Sequence, residues 1–116
     1  MPESATIILF PAPAPKLPIP AATQTAPAHR EPTPAEARLT RALANAWAPK
    51  IAVNSVAPGV IPFDKFDDRI ERFIAATPAG RAGTGDEVAE AVVHFLSCTR
   101  FITGQVMAVD GGLSQR

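Results

Sequence analysis

Tyrosine is missing from this 116-residue chain, cysteine occurs once, and no glycine precedes Gly59. With Cys98 alone, an internal disulfide and a cysteine-based metal site are both excluded. Cys98 falls on an apolar helical stretch, where a buried, inert thiol is expected rather than a nucleophile. Net charge is lacking as well: eleven basic side chains balance eleven acidic ones. No positive field is therefore available for nucleic acid or an anionic membrane surface. No apolar run is long enough to span a bilayer. The N-terminus carries Glu3, has no basic stretch, and offers only Ile7 to Phe10 before a proline. It does not read as a signal peptide, and a soluble cytoplasmic protein is expected. The length allows one domain with a modest core.

Proline, by contrast, is abundant and unevenly spread, with nine of the thirteen in the first thirty-four residues. Ala5 to Phe10 (ATIILF) suits a strand. Pro11 to Pro32 is rich in Pro and Ala and nearly free of large apolar side chains, so burial cannot repay its ordering entropy. The segment reads as a polyproline-like or disordered arm. Such an arm serves either as a ligand for an aromatic-lined groove or as a linker. The chain thus divides into residues 1–32, a strand with its arm, and residues 33–116, the folded part.

That folded part is organised around Ile51 to Ile61 (IAVNSVAPGVI), an apolar strand running into a Pro-Gly turn. Ile51, Val53 and Val56 are β-branched and suit a buried, pleated strand. Pro58 fixes the exit angle, and Gly59 allows backbone to come close to a ligand. In open parallel sheets ligands sit beyond the carboxyl ends of strands. Taken locally, the stretch is equally an ordinary buried strand and turn.

Upstream, Thr33, Pro34 and Glu36 form a helix start with a capping box. Leu39, Ala42, Leu43, Ala46 and Trp47 repeat at helical spacing as its core stripe, with Arg38, Arg41 and Asn45 opposite. Downstream, Phe63, Phe66, Ile70, Phe73 and Ile74 mark a second amphipathic helix, Asp64 to Ala76. Its charges, Asp67 and Asp68 included, read as a solvated face, because adjacent helical residues point apart. Thr84 and Glu87 cap a third helix with Val88, Ala91, Val92, Phe95 and Leu96 as its stripe. His94 lies off that stripe, with no second ligand one turn away, and reads as a surface histidine. Gln105 to Val109 forms the last strand, ended by Asp110-Gly111-Gly112. Together these elements give an α/β fold: a short parallel sheet with packed helices and a Pro-rich N-terminal arm.

Four blocks in order, LTRALANAW (Leu39 to Trp47), IAVNSVAPGVI, TPAGRAGTGDEVAEAVVHFLS (Thr77 to Ser97) and FITGQVMAVDGG (Phe101 to Gly112), resemble the C-terminal part of the short-chain dehydrogenase/reductase family. The resemblance covers about two-thirds of the chain. It implies a partial Rossmann-like, doubly wound fold and hydride transfer between NAD or NADP and an alcohol or carbonyl. Pro58 and Gly59 match the turn lining the family's nicotinamide pocket. With Val60 they lead to Ile61, whose position meets the carboxamide through its backbone, so Pro58, Gly59, Val60 and Ile61 are the expected cofactor-binding residues. Phe63 stands where the family often has threonine, and Asp64 to Ala76 matches the substrate lid.

Other family residues have no counterpart. The active-site Tyr-x-x-x-Lys would place its tyrosine at His29 and its lysine at Thr33, so no catalytic residue is assigned. The absence of early glycines excludes the Gly-rich phosphate turn. ATIILF corresponds to the fifth strand, but Pro11 and Ala12 follow it where the catalytic serine is approached. A positioned acid/base contributes 10²- to 10⁴-fold, and the pyrophosphate site much of the cofactor's binding energy. The expectation is a truncated or degenerate oxidoreductase, inactive alone. The alternatives are a non-enzymatic interaction module and a polyproline ligand on a folded stub. The family packs the helix matching Thr33 to Ala48, and the last helix and strand, across subunit interfaces. Self-association, or association with family subunits, is therefore expected. Separation from the rest of the family's sheet also implies an unpaired strand edge and marginal stability.

Overall fold

The computed structural model describes residues 5–10, 34–62 and 68–115. Three parallel strands form one sheet in chain order, β1 (Ala5–Leu9), β2 (Ile51–Pro58) and β3 (Val106–Val109). Ala5 pairs with Ile51 at one edge of β2, and Ser55 with Val106 at the other. Helices α1 (Pro34–Trp47), α2 (Asp68–Ala76) and α3 (Gly85–Ser97) connect the strands, and a 3-10 turn at Leu113–Gln115 follows β3. Ile51 to Val56 and the last strand are parallel neighbours, as the sequence implies, although Gln105 lies just outside β3.

β2 is the buried centre, with every residue from Ala52 to Ala57 inside. Its alternation sends Ser55 toward α1, whose Thr40 it meets at 2.7 Å, and Val56 into a cluster with Ala91 and Phe95 of α3. Complete burial of Val53 and Val56 removes side chains each worth about 1.5–3 kcal/mol from water.

Helix α1 departs from its expected stripe. The residues against the sheet are Thr40 and Ala44, both buried, whereas Leu39 (54% exposed) and Trp47 (41%) face outward. Ala42 and Ala46 are exposed and Leu43 is half-buried. Close approach selects small residues here: a Cβ on Gly104 would lie 3.5 Å from that of Ala44. Thr40 tolerates burial because its hydroxyl donates to the Glu36 carbonyl at 2.9 Å. Having given its only proton there, Thr40 accepts from Ser55. Thr33, the expected cap, lies outside the described residues.

Helix α3 starts as read, with Thr84 and Glu87 forming a reciprocal capping box. Ala91 and Phe95 are buried and Val88 and Val92 pack beside them. Leu96 is 59% exposed and does not join the stripe. Cys98 is another correction: it caps the helix C-terminus and is half-buried, with its thiol 3.5 Å from the Phe95 and Thr99 carbonyls. His94 is exposed, as expected. Helix α2 begins at Asp68, with Ile70, Phe73 and Ile74 half-buried. Residues 63–67, expected to open that helix, and the Pro-rich segment 11–32 lie outside the described residues.

Candidate functional site

The turn Pro58–Ile61 leaves the carboxyl end of β2 and is held from two sides. The Gly59 amide donates to the Val109 carbonyl at 2.9 Å, and the Gly83 amide to the Val60 carbonyl at 2.9 Å. One sequence reading changes here. A Cβ on Gly59 would lie 2.7 Å from the Cα and Cβ of Asp110, so the close neighbour that demands glycine is the end of β3, not a ligand. A Cβ on Gly83 would instead meet only the tip of a side chain, Ile61 Cδ1 at 2.7 Å, which can turn aside.

Asp110 organises the far side of the turn. Its two carboxylate oxygens accept from the amides of Gly112 and Ser114, each at 3.0 Å. Gly111, at φ 61°, brings the chain back against Thr77 and Ala79, and the Ala79 amide donates to the Gly111 carbonyl at 3.0 Å. The loop from Thr77 to Gly83 is thereby fastened to both strand ends. Thr77 itself is buried and donates to the Phe73 carbonyl at 2.7 Å.

Arg81 and Glu87 close the loop in a two-pronged pair, with N···O distances of 2.7 and 2.8 Å. The hydrogen bonds from Arg81 are the main cause holding the Glu87 carboxyl down at about 2, helped by the Arg81 charge and by Thr84. Between this pair, the turn and Asp110 lies a cavity of about 50 Å³. That volume holds a water or two, not a dinucleotide.

Pro58, Gly59, Val60 and Ile61 therefore stand together at the strand ends, each half-buried. Ile61 is distinctive: neither its N–H nor its C=O makes a hydrogen bond among the described residues. A half-buried donor and acceptor on one residue suit a group that offers both, such as a primary amide. His29 and Thr33, at the positions expected for the acid/base pair, lie outside the described residues. Among the described residues, no three His, Cys, Asp or Glu side chains group as a metal site, and no helix is long and apolar enough to cross a membrane.

Sequence reasoning did not pick out Asn54, which is completely buried in β2. Its amide donates to the Ile102 carbonyl at 3.1 Å and accepts from the Gln105 amide at 3.0 Å. The signal was a lone amide side chain inside an apolar strand, which is stable only if both ends are satisfied.

A family model described as enoyl-(acyl carrier protein) reductase matches residues 34–114. Galactitol 2-dehydrogenase (L-tagatose-forming) from Cereibacter sphaeroides is 40% identical over 83 residues, which is 65% of this chain and 33% of that protein. Human 3-oxoacyl-[acyl-carrier-protein] reductase is 49% identical over 76 residues, 64% of this chain and 32% of its own length. Among solved structures, a gluconate 5-dehydrogenase from Burkholderia cenocepacia in complex with NADP and tartrate superposes with a TM-score of 0.74 at 28% identity. It covers 98% of this chain with 46% of its own. An apo SCOR enzyme from Clostridium thermocellum gives a TM-score of 0.67 at 32% identity, covering 96% and 42%. The chain spans about a third of the length of the curated relatives it matches.

Proposed function

The chain belongs to the short-chain dehydrogenase/reductase family, and from that premise we propose that Pro58–Ile61 is the nicotinamide-facing wall of an NAD(P)-dependent oxidoreductase site for alcohol or carbonyl substrates. The 116-residue polypeptide does not turn over by itself. The observation that carries the reading is the backbone of Ile61, unpaired among the described residues, at the end of a turn fastened by the Gly59–Val109 and Gly83–Val60 hydrogen bonds. A carboxamide offers the matching acceptor and donor. NAD(P), when bound, supplies or accepts the hydride. This chain's part is to orient and desolvate: Pro58 fixes the turn's exit, and Val60 is held back by the Gly83 amide.

The rest of the cofactor is poorly served. No glycine precedes Gly59, so the backbone cradle that approaches a pyrophosphate has no equivalent here. With no tyrosine, no phenol is available to hold or deliver the substrate proton, a loss of 10²- to 10⁴-fold in its own right. Titrating NAD⁺ and NADP⁺ into ¹⁵N-labelled protein tests the reading. The Ile61 and Gly59 amides should shift, with affinity of about millimolar or weaker. Micromolar saturation, or ketone reduction at the expense of NAD(P)H, would sink it.

The exposed row on α1 supports a second reading, an association module. Leu39 and Trp47 lie on that helix's outer side, and such apolar faces are commonly covered by a partner. Self-association or association with family subunits follows from this reading, and sedimentation alone and with a complete family member checks it. A monomer in both experiments contradicts it.

A further inference from the structure

The Val60 carbonyl and the Ile61 N–H are the two ends of one planar trans peptide unit, so they point in opposite directions. The carbonyl accepts from the Gly83 amide at 2.9 Å. That one bond therefore also aims the Ile61 N–H away from the Thr77–Gly83 loop, to the side left unpaired among the described residues. A peptide whose carbonyl is already engaged is polarised, and its N–H is the stronger donor for it. Whatever fixes Gly83 thus controls the direction and strength of the donor at the turn.

Packing does not fix it. No residue from Pro78 to Glu87 is buried, and the cavity of about 50 Å³ lies between this loop and the strand ends, with Val60, Arg81, Gly83 and Glu87 in its wall. The hold is polar instead. Arg81 donates to the Ala82 carbonyl at 3.0 Å and grips both carboxylate oxygens of Glu87. Glu87 Oε1 accepts in turn from the Thr84 amide and hydroxyl, each at 3.2 Å. The residues on both sides of Gly83 are thereby tied to a single carboxylate in the first turn of α3. An ion pair whose side chains are 60% and 37% exposed adds little to folding, so its effect is on where the loop sits.

We propose that Arg81 is a positioning residue for the turn Pro58–Ile61, holding the Ile61 N–H in its outward direction through Glu87 and the Gly83–Val60 hydrogen bond. What Ile61 meets rests on the nicotinamide reading above, whereas the relay from Arg81 is a property of the chain without ligand.

The test is made first on ¹⁵N-labelled protein without cofactor. In Arg81→Gln the Gly83 amide should exchange about two- to fivefold faster, the worth of an exposed pair, and the Ile61 amide resonance should move. The urea midpoint and the exchange of Ala91 and Phe95 should stay as in the parent. Glu87→Gln keeps a side chain able to complete the capping box but loses the ion pair, and should reproduce the effect. The two substitutions together should do no more than either alone, because they break one link.

Three results would overturn the proposal: Gly83 and Ile61 unmoved by Arg81→Gln, a loss spread equally over α3 and the urea midpoint, or additive effects of the two substitutions. The nicotinamide reading is judged separately by adding NAD⁺. In the parent, NAD⁺ above its dissociation constant should shift the Ile61 amide and slow Gly83 exchange, although Gly83 turns its amide to Val60. An Arg81-dependent Ile61 amide that ignores NAD⁺ would sink the nicotinamide assignment and leave the relay standing. An Ile61 amide that answers NAD⁺ equally in parent and Arg81→Gln, with Gly83 unmoved, would do the reverse.

Discussion

Replacing Gly59 with alanine should loosen the joint between β2 and β3 and, with it, the turn at Pro58–Ile61. The new Cβ would sit 2.7 Å from both Cα and Cβ of Asp110, where carbon pairs prefer about 3.5–4.0 Å. Backbone stands on both sides of the clash, so no rotamer change relieves it. Overpacking of this kind costs about 1–3 kcal/mol. Losing the Gly59–Val109 hydrogen bond adds about 0.5–1.5 kcal/mol. A combined loss of about 2–4 kcal/mol should lower the urea midpoint by about 1–2 M, for a slope of about 2 kcal/mol/M. Gly85 at the start of α3 is the control. A Cβ there meets nothing within 4 Å, and alanine should be neutral or stabilising by up to about 0.5 kcal/mol. Equal midpoints for Gly59→Ala and the parent, or equal losses for the two variants, would refute the steric argument.

Two further substitutions examine other parts of the frame. Asn54→Leu keeps the volume but strands the Ile102 carbonyl and the Gln105 amide. It should cost about 1–3 kcal/mol by urea unfolding, chiefly from the half-buried Ile102 carbonyl, since Gln105 is exposed and its amide can turn to water, and speed exchange at Gln105. The Glu87 carboxyl, held at about 2 against an ordinary 4.5, should titrate that low by ¹³C NMR. Because its folded value is depressed, its contribution to stability is present above 4.5 and fades as pH falls toward 2. Arg81→Gln should move the titration back up toward the ordinary carboxylate range.

The sequence was most informative where one local rule was enough. Thr84, Gly85, Asp86 and Glu87 spell out a capping box, and α3 starts there. The apolar run before Pro58 is the central strand, because parallel strands buried on both faces read as continuous hydrophobic stretches. Helix α1 misled for a physical reason. Periodicity weighs side-chain hydrophobicity, whereas α1 meets the sheet through Thr40 and Ala44, chosen for size and for a hydroxyl satisfied by Glu36 and Ser55. Gly59 was recognisable as a required glycine, but its neighbour Asp110 lies about fifty residues along the chain, beyond any local pattern. The Arg81–Glu87 pair joins a loop to a helix across the cap, and nothing in the separate charges announces it.

The central position of β2 also bears on how fast the chain can assemble. Its pairings join Ala5 to Ile51 and Ser55 to Val106, so each brings together residues about fifty positions apart. Neither outer strand has the other as a neighbour, and a loop of that size must close before either ladder returns any energy. Such non-local topologies fold toward the slower, millisecond-to-second end of single-domain rates, with the unpaired strands open to encounter by other molecules meanwhile.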